Sequence, residues 1–215
     1  MPIFDTLIVM NEQNEAKTKQ NVSTDESLKW QLVSSEHIVK DEWIDFRREA
    51  YRFPDGTLFE PFYSYSRKSY VVIVARTEEG KYLCVRQFRQ GIGKVTTEFP
   101  AGGLEKEEMT DDPVTSQSAP RGALNAAKRE LREETGYESS DWTFLLSVPS
   151  NATLADNYAF LFFADNCRRS SGQDLDDTEF LDALLLSASE IDEMIRNGQF
   201  QQAIHILAWL LHDGK

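Results

Sequence analysis

The sequence predicts an α+β fold in which a mixed β-sheet packs against a small number of helices. Short β-rich segments separated by turn sequences fill the first half of the chain, and more strand-like segments follow one strong helical pattern. Two further helical patterns come last. With 215 residues, of which 40% are hydrophobic, the chain is long enough to bury a sizeable core without disulfide or metal staples.

The chain is predicted to begin with an arm and a polar connector at residues 1–27. Residues 3–10 are mildly apolar and favour a strand or a packing arm over a signal peptide, because no basic segment precedes them. Residues 11–27 are polar and show no hydrophobic periodicity. A β-region is expected at 28–66, with a turn at Pro54-Asp55-Gly56.

A larger domain is expected at 67–215. Its predicted strands lie at 70–76, 81–88, 95–99, 142–148, 158–164 and 180–186, and its predicted helices lie at 122–135, 188–196 and 200–212. Ala123, Ala127 and Leu131 repeat at helical spacing in the first of these helices, and Gly136 is placed to end it. The acidic and then Ser/Thr/Pro-rich segment at about 109–120 is expected to be an irregular insertion.

The charge of the chain excludes some classes of partner. There are 23 Lys and Arg residues against 36 Asp and Glu residues, which gives a formal net charge of −13. Because no basic stripe is present, we expect neither nucleic acid nor an anionic membrane as a partner. The cysteines Cys84 and Cys167 are far apart and have no second ligand at metal spacing, so we expect two reduced thiols and a cytoplasmic location.

The helix at 122–135 carries the most informative cluster of charge. At about 100° per residue, Glu130, Glu133 and Glu134 share one arc of this helix, and like charges at that spacing repel. Arg129 and Arg132 could relieve the repulsion on a solvated face. Divalent cations are the alternative, because clustered carboxylates are a usual Mg²⁺ environment. Helical periodicity alone leaves both explanations open.

The segments around this cluster resemble a known motif. Residues 100–108 read PAGGLEKEE and residues 129–137 read RELREETGY, which together are similar to the Nudix box, G-x5-E-x7-R-E-U-x-E-E-x-G-U, where U is aliphatic or aromatic. The matching positions are Gly102, Glu108, Arg129, Glu130, Leu131, Glu133, Glu134, Gly136 and Tyr137. Between Glu108 and Arg129 lie 20 residues where the family has 7. The resemblance implies the Nudix α/β/α sandwich, here preceded by an N-terminal antiparallel β-region.

The segments 86–89 (RQFR) and 98–102 (EFPAG) further resemble the ADP-ribose pyrophosphatase branch of that family. That branch commonly forms a homodimer through its N-terminal β-region, so a homodimer is expected here. The Ser-Pro-Gly usual in the loop after the box is replaced by a segment at 151–157 that reads NATLADN. This departure leaves other nucleoside diphosphate sugars open as substrates.

The resemblance also implies roles for individual residues. The metal ligands would be Glu130, Glu133, Glu134 and the carbonyl of Ala101, holding Mg²⁺ with Mn²⁺ as a possible substitute, and the catalytic residues would be Glu133, Glu134 and Glu179. Asp176 and Asp177 are the substitutes for Glu179 as the base. Arg89 and Glu98 would bind substrate, and Gly102, Glu108, Arg129 and Gly136 would be structural. Trp30, Trp43 and Phe62 are candidates to stack on a base, and Trp30 is the one assigned to substrate binding.

The predicted function is therefore Mg²⁺-dependent hydrolysis of ADP-ribose, or of a related nucleoside diphosphate sugar, to a nucleoside monophosphate and a sugar phosphate. The alternatives are hydrolysis of another nucleoside diphosphate derivative or a (d)NTP, and a Nudix-fold ligand sensor without catalysis. The histidines His37, His205 and His212 have no partner at zinc spacing and are expected at the surface or the edge of the core.

Overall fold

The computed structural model describes residues 24–109, 118, 120–176 and 179–212. Residues 1–23 of the arm and connector expected at 1–27, and most of the expected insertion, lie outside these ranges. The chain divides into two compact units. The first contains the residues up to His37 together with Arg47–Tyr63, and the second contains Ile38–Phe46 and the residues from Ser64 onward.

The helices and strands follow the order predicted from the sequence. The strands are β1 Gln31–Lys40, β2 Asp45–Arg52, β3 Leu58–Ser66, β4 Tyr70–Thr77, β5 Tyr82–Arg89, β6 Lys94–Glu98, β7 Ala101–Gly103, β8 Tyr137–Glu138, β9 Asp141–Pro149, β10 Tyr158–Arg169 and β11 Leu181–Leu186. The helices are α1 Asp25–Leu28, α2 Arg121–Thr135, α3 Ala188–Arg196 and α4 Ala203–His212. The α+β class is confirmed.

Strands β1, β2 and β3 form a three-stranded sheet in that order. In the first unit an aromatic cluster stabilises it, since the ring centroid of Trp30 lies 4.4 Å from that of Phe53 and 5.2 Å from that of Phe62. Tyr51 and Phe59 complete this cluster. The short helix α1 falls inside the predicted connector, where Thr24 caps it by accepting a hydrogen bond from the Ser27 N–H.

The second unit contains a mixed eight-stranded sheet. Its main path runs β11-β5-β4-β10-β8, with β6 beside β5, β7 beside β4 and β9 beside β10. Strand β4 pairs parallel with β10 and antiparallel with β5 and β7. Residues Val71 to Ala75 of β4 are all buried, because helices cover both faces of the sheet at this strand.

Two apolar cores lie on opposite faces of that sheet. Alternate residues of β4 point to each side, so Val71 and Ile73 pack with α2 while Val72 and Val74 pack with α3 and α4. On the α2 side the contacts include Ala123, Ala127 and Leu131. On the other side they include Ile191, Ala208 and Trp209. This arrangement is the predicted α/β/α sandwich.

The C-terminal end of α2 is fixed by the loop that follows β10. Gly136 adopts a left-handed conformation with φ 74° and ends the helix, as predicted. Its carbonyl accepts hydrogen bonds from the N–H groups of Ser170 and Ser171. Asp174 N–H donates to the Glu133 carbonyl over 2.9 Å, and the Gln173 side chain donates to the Glu134 carbonyl over 2.7 Å. The loop before β11 is therefore held against the last turn of α2.

Three predicted boundaries differ from the structure. The strand expected to end at 164 continues to Arg169 as β10. Phe180 was expected to start the last strand, but β11 begins at Leu181 and Phe180 is 96% exposed. Phe200 was expected inside the last helix, but α4 begins at Ala203 and Phe200 is instead buried as a loop residue in the second core. Both thiols are buried and free. Across the described residues, the helices are all too short or too polar to span a bilayer.

Candidate active site

Three carboxylates converge beside the last two turns of α2. Glu130, Glu134 and Glu179 each offer an oxygen within 4.8 Å of the others. Helix α2 supplies the first two at i and i+4, where side chains share a face, and the loop before β11 supplies the third. Glu130 and Glu134 are buried, and Glu179 is half-buried.

Burial and the neighbouring negative charges oppose ionisation of Glu130 and Glu134. Burial raises the pKa of Glu130 to about 7, although Arg129 lowers it, and the charges of Glu179 and Glu133 raise it further. Burial also raises the pKa of Glu134 well above its usual range, against the hydrogen bond from the Ala101 N–H. That bond is 2.9 Å long and ties Glu134 to β7. Without a cation, the cluster holds protons that an ordinary carboxylate would lose.

Strand β7 passes directly against the cluster. A Cβ atom on Gly102 would lie 2.0 Å from the Glu130 Cδ, so only a glycine leaves room for that carboxylate. The strand is held in register against β4 by pairing of Ala101 with Val72. Ala101 and Gly102 therefore present backbone next to the carboxylates of α2.

Arg129 connects several acidic groups to that strand. Its Nε and one terminal nitrogen each donate to Glu108 over 3.1 Å, and the other terminal nitrogen donates to Glu130 over 2.8 Å and to Glu133 over 3.0 Å. Arg129 also donates to the Gly103 carbonyl over 3.0 Å. Burial opposes ionisation of Glu108, but the hydrogen bonds from Arg129 outweigh it and lower the pKa of Glu108.

The loop that carries Glu179 is folded on itself. The Asp176 N–H donates to a Glu179 carboxylate oxygen over 3.1 Å, and the Glu179 N–H donates to the Asp176 carbonyl over 2.9 Å. Because residues 173 and 174 are bonded to α2, this short loop keeps Glu179 next to the helix carboxylates. Asp177, the other predicted substitute for the base, lies outside the described residues.

An ion pair between the half-buried Arg89 and the buried Glu98 adds a cation to the site. Arg89 of β5 donates from Nε and one terminal nitrogen to Glu98 over 2.9 and 2.6 Å. Glu98 is fully buried and also accepts a hydrogen bond from Thr96. Burial opposes its ionisation, but the bonds from Arg89 hold the pKa of Glu98 below its usual range. The remaining terminal nitrogen of Arg89 makes no hydrogen bond with any described residue.

These groups line one pocket of about 690 Å³, formed entirely within the second unit. Its cationic lining residues are Arg67, Lys68, Arg89 and Arg129. Its acidic lining residues are Glu42, Glu105, Glu130, Asp176 and Glu179. Aromatic rings line it at Trp43, Tyr65 and Tyr70. A pocket lined by both carboxylates and cations suits a metal ion together with an anionic ligand.

The structure brings together most of the site residues predicted from the sequence. Ala101, Gly102, Arg89, Glu130 and Glu179 line the pocket, and Glu98, Glu108 and Glu134 lie directly behind lining residues. Glu133 is placed differently. Its carboxylate pairs with Arg129 and, over 3.7 Å, with Arg132, and it is not one of the three clustered groups. Trp30 lies in the first unit, within the aromatic cluster, and its substrate role stays a prediction.

Several lining residues were not identified from the sequence. Asn157 donates to the Lys68 carbonyl over 3.0 Å and so fixes the pocket edge, but an isolated asparagine carries no sequence signal. His205 was expected at the surface or the core edge, yet it is only 4% exposed and lines the pocket. Its position depends on how α4 packs on the sheet, which no local pattern encodes. Burial lowers the pKa of His205 to about 4.

Sequence comparisons agree with this geometry. The family model described as NUDIX domain matches residues 66–210. A methanol dehydrogenase activator of Bacillus methanolicus is 32% identical over 139 residues, which is 64% of this chain and 68% of the relative. An ADP-ribose pyrophosphatase of Bacillus subtilis is 26% identical over 178 residues, covering 82% of this chain and 89% of the relative. An ADP-sugar pyrophosphatase of Mus musculus is 32% identical over 127 residues, covering 54% and 52%.

One solved structure supports the fold itself. The crystal structure described as an ADP compounds hydrolase superposes with a TM-score of 0.69 and covers 86% of this chain and 93% of its own. The two sequences are 18% identical, so this likeness bears on the fold alone.

Proposed function

The chain belongs to the Nudix family, and from that premise we propose that it is a divalent-metal-dependent hydrolase that cleaves the diphosphate of ADP-ribose or a closely related nucleoside diphosphate sugar. The observation that carries this proposal is the convergence of Glu130, Glu134 and Glu179 at a pocket that Arg89 also lines. The enzyme class follows from the family. The metal, the substrate and the residue roles are the parts that experiments must test.

The donor set fits a hard cation. Three carboxylates share a small volume, and burial raises the pKa of two of them, Glu130 and Glu134, so the group gains from a divalent ion. A purely oxygen set favours Mg²⁺ or Mn²⁺ over softer metals. We assign Glu130, Glu134 and the Ala101 carbonyl as the residues that would hold it. When bound, such ions neutralise diphosphate charge and lower the pKa of an attacking water.

Arg89 is placed to bind and orient the diphosphate. Glu98 binds one edge of its guanidinium, through Nε and one terminal nitrogen, and the other terminal nitrogen is unengaged among the described residues. A guanidinium held in this way loses little conformational entropy when it binds a phosphate oxygen. Arg67 and Lys68 line the same pocket and make no ion pair with a carboxylate in the described part of the chain, so they add positive charge for an anionic substrate.

Glu179 is our candidate for the base. Water attacks one phosphorus atom, Glu179 accepts a proton from that water, and the bond from phosphorus to the bridging oxygen breaks. The departing phosphate takes up a proton, so one water is consumed and two phosphate monoesters form. Glu179 lies on a loop rather than on α2, which allows it a role distinct from that of the helix carboxylates.

The relatives support an adenine-containing substrate, and aromatic rings offer a place for its base. Trp43 lines the pocket and is 62% exposed, so its ring is free to stack on a purine. Trp30 was the aromatic residue assigned to this role from the sequence, and it remains a second candidate. Comparing the KM values of Trp43→Ala and Trp30→Ala will assign the stacking residue.

A homodimer is also proposed. All ten residues of β1 are exposed, including the apolar Leu32, Val33, Ile38 and Val39, which are each close to half exposed. A solvent-facing apolar strand of this length is a suitable surface for a second copy of the chain. Light scattering after size exclusion should give twice the 24.6 kDa monomer mass. A monomer at micromolar concentration would contradict this part of the proposal.

The decisive test is a substrate panel. The protein is incubated with Mg²⁺ and ADP-ribose, GDP-mannose, UDP-glucose, a dinucleoside polyphosphate or a dNTP, and the released nucleotide is identified by chromatography. We expect AMP and ribose 5-phosphate from ADP-ribose, and no turnover with EDTA. Binding of ADP-ribose without turnover of any compound would instead favour a ligand sensor.

A further inference from the structure

His205 of α4 has a defined tautomer although it takes no part in the proposed mechanism. Its Nδ1 lies 3.1 Å from the backbone nitrogen of Phe99, whose N–H donates to it. A ring nitrogen that accepts a hydrogen bond carries no proton, so in the neutral imidazole the proton is on Nε2. The bond to Phe99 therefore makes Nε2 a donor.

That donor has no protein partner. Nε2 makes no hydrogen bond with any of the described residues, which include the whole of α4 and β6. In the same part of the chain, no buried side-chain nitrogen or oxygen lacks a hydrogen-bond partner. Nε2 must therefore reach solvent, although His205 as a whole is only 4% exposed. Since His205 lines the pocket, the accessible Nε2–H opens into it.

The surroundings keep the imidazole neutral. Burial lowers the pKa of His205 to about 4; Glu98 acts in the opposite direction, and Arg89 lowers the pKa further. The Glu98 carboxylate is already bonded to Arg89 and Thr96. At neutral pH the pocket therefore offers the uncharged Nε2–H of His205 close to Arg89, whose second terminal nitrogen also makes no hydrogen bond with a described residue.

We infer that His205 is a substrate-binding residue whose Nε2–H donates to an oxygen of the substrate next to Arg89. This inference rests on the proposed function, because it takes the pocket to be the substrate site. The acceptor belongs to one of the two halves of ADP-ribose, the nucleoside monophosphate or the sugar phosphate. A buried donor with no protein partner discriminates strongly, since a ligand without an oxygen at that position leaves it unpaired.

Two substitutions separate this role from a structural one. His205→Asn keeps an acceptor near Nδ1 for the Phe99 N–H but has no donor at the position of Nε2. His205→Gln reaches far enough to place an amide N–H there but loses the acceptor for Phe99. If the histidine is purely structural, Asn should preserve the melting temperature better than Gln does. If it binds substrate, Gln should preserve the substrate affinity better than Asn does.

The test measures kcat and KM for ADP-ribose, the melting temperature, and direct calorimetric binding of AMP and of ribose 5-phosphate to the full chain. For His205→Asn we expect KM to rise about 3- to 10-fold, as for one lost neutral hydrogen bond, with kcat within about twofold of wild type. The affinity for one of the two products should fall by the same factor, which identifies the half of the substrate that His205 contacts. His205→Gln should recover most of the affinity at a lower melting temperature.

Unchanged KM and unchanged binding of both products in His205→Asn would overturn the inference. Failure of the proposed function gives a different result, in which the wild-type protein turns over no ADP-ribose. In that case binding of AMP and of ribose 5-phosphate to wild type and to His205→Asn still tests the histidine, and equal affinities for both products reject its role. Binding of neither product by the wild-type protein would overturn both proposals.

Discussion

Two acidic residues of α2 lie in surroundings that oppose their ionisation, unlike the acidic residue between them, which is paired with arginines. Glu130 and Glu134 are buried together and face Glu179, and burial raises the pKa of both. Glu133 lies between them in sequence but points to Arg129 and Arg132, where two cations balance it. Adjacent residues of one motif thus have different electrostatic environments, and substitutions should separate them.

Glu134→Gln should abolish Mg²⁺-dependent hydrolysis while leaving the fold intact. The amide keeps an oxygen to accept the Ala101 N–H but cannot ionise to bind a cation, and it removes a carboxyl group whose charged form burial disfavours. We therefore expect an unchanged circular dichroism spectrum and, without metal, a melting temperature equal to or above that of wild type. Activity is measured as AMP released from ADP-ribose.

Glu133→Gln is the matched control, because it makes the same chemical change one residue away. Since Glu133 is outside the three-carboxylate cluster, its loss of activity should be clearly smaller than that of Glu134→Gln. Equal losses would show that Glu133 also binds the metal, as the sequence motif implies. Wild-type turnover in Glu134→Gln would contradict the metal site itself.

Glu179→Gln should lower kcat by about 10²- to 10⁴-fold, the usual contribution of a positioned base. The effect on KM should be small, since Arg89 and the other cations of the pocket are untouched. Asp176→Asn, in the same loop, is the control and should retain most of the activity. If the Asp176 variant is instead the inactive one, the roles of the two acids are reversed.

Residue types at motif positions could be predicted from the sequence, but their partners could not. The pattern around 129–137 identified Arg129 and the three glutamates, because helical spacing and the motif both apply there. The sequence left open whether arginines or cations balance the charge. The structure shows that Arg129 balances Glu133 and partly Glu130, whereas Glu134 has no basic hydrogen-bond partner among the described residues. His205 was missed because its role depends on long-range packing.

At the scale of elements, the close approach of β7 to α2 builds the site. A Cβ at Gly102 would overlap the Glu130 carboxylate, whereas a Cβ at Gly103 would meet nothing closer than Lys68 at 3.7 Å. The carboxylate is the flexible end of a side chain, so it can move aside without disturbing the strand. The distance between these two elements therefore decides where Glu130 points.

Gly102→Ala should consequently keep the fold and weaken metal binding by about tenfold or more, since Glu130 is displaced. Gly103→Ala, the neighbouring change, should bind metal as wild type does. Mn²⁺ titration followed by electron paramagnetic resonance measures both affinities, and thermal melting checks the fold. Equal affinities in the two variants would contradict the assignment of Glu130 as a ligand.

Most of the longer elements were predicted within a few residues, whereas the short α1, β7 and β8 were not predicted. The wrong boundaries at Phe180 and Phe200 have a common cause. The stop of α2 at Gly136 was readable because a left-handed residue favours glycine. The boundaries at Phe180 and Phe200 were predicted wrongly because each apolar ring suggested that the strand or the helix began there. In the structure, Phe200 reaches the core from a loop and Phe180 is exposed, so hydrophobicity alone did not fix the element.

At the scale of the whole molecule, the acidic cluster links stability to pH and metal. Glu130 has a pKa of about 7 in the folded protein, above the ordinary value of 4.5. A raised pKa contributes stability that is present below pH 4.5 and is lost as pH rises through 7. Glu134 acts in the same direction. A divalent ion binds the deprotonated carboxylates and should restore the stability that is lost at higher pH.

The increase in melting temperature caused by Mg²⁺ should therefore grow from pH 5 to pH 8. Calorimetric scans with Mg²⁺ and with EDTA across this range measure it. Subtracting the two melting temperatures at each pH cancels the contribution of groups such as Glu98, whose pKa is lowered. In Glu134→Gln the difference should be small at every pH. An increase that is constant with pH would show that these carboxylates are not the ligands.

The α/β/α arrangement was predicted from the resemblance to the Nudix box, and the residues alone predicted a mixed sheet with few helices. Two features of the sequence agree with it. Strand β4 is apolar at consecutive positions, which indicates burial on both faces, and helical patterns flank the strands. The division into units was less accessible, since Ile38–Phe46 belongs to the second unit although the rest of β1 and β2 belongs to the first. Contacts far apart in sequence decide such a division, and no local pattern records them.

The acids in the last turns of α2 also affect any attempt to improve the protein by selection. Negative charge near a helix C-terminus is unfavourable, and here it is also buried. A library screened for heat resistance in a chelating buffer will therefore enrich neutral replacements at Glu130 and Glu134, and the most robust clones will be inactive. Including Mg²⁺ in the screen reverses that pressure, so the buffer decides whether selection preserves the enzyme.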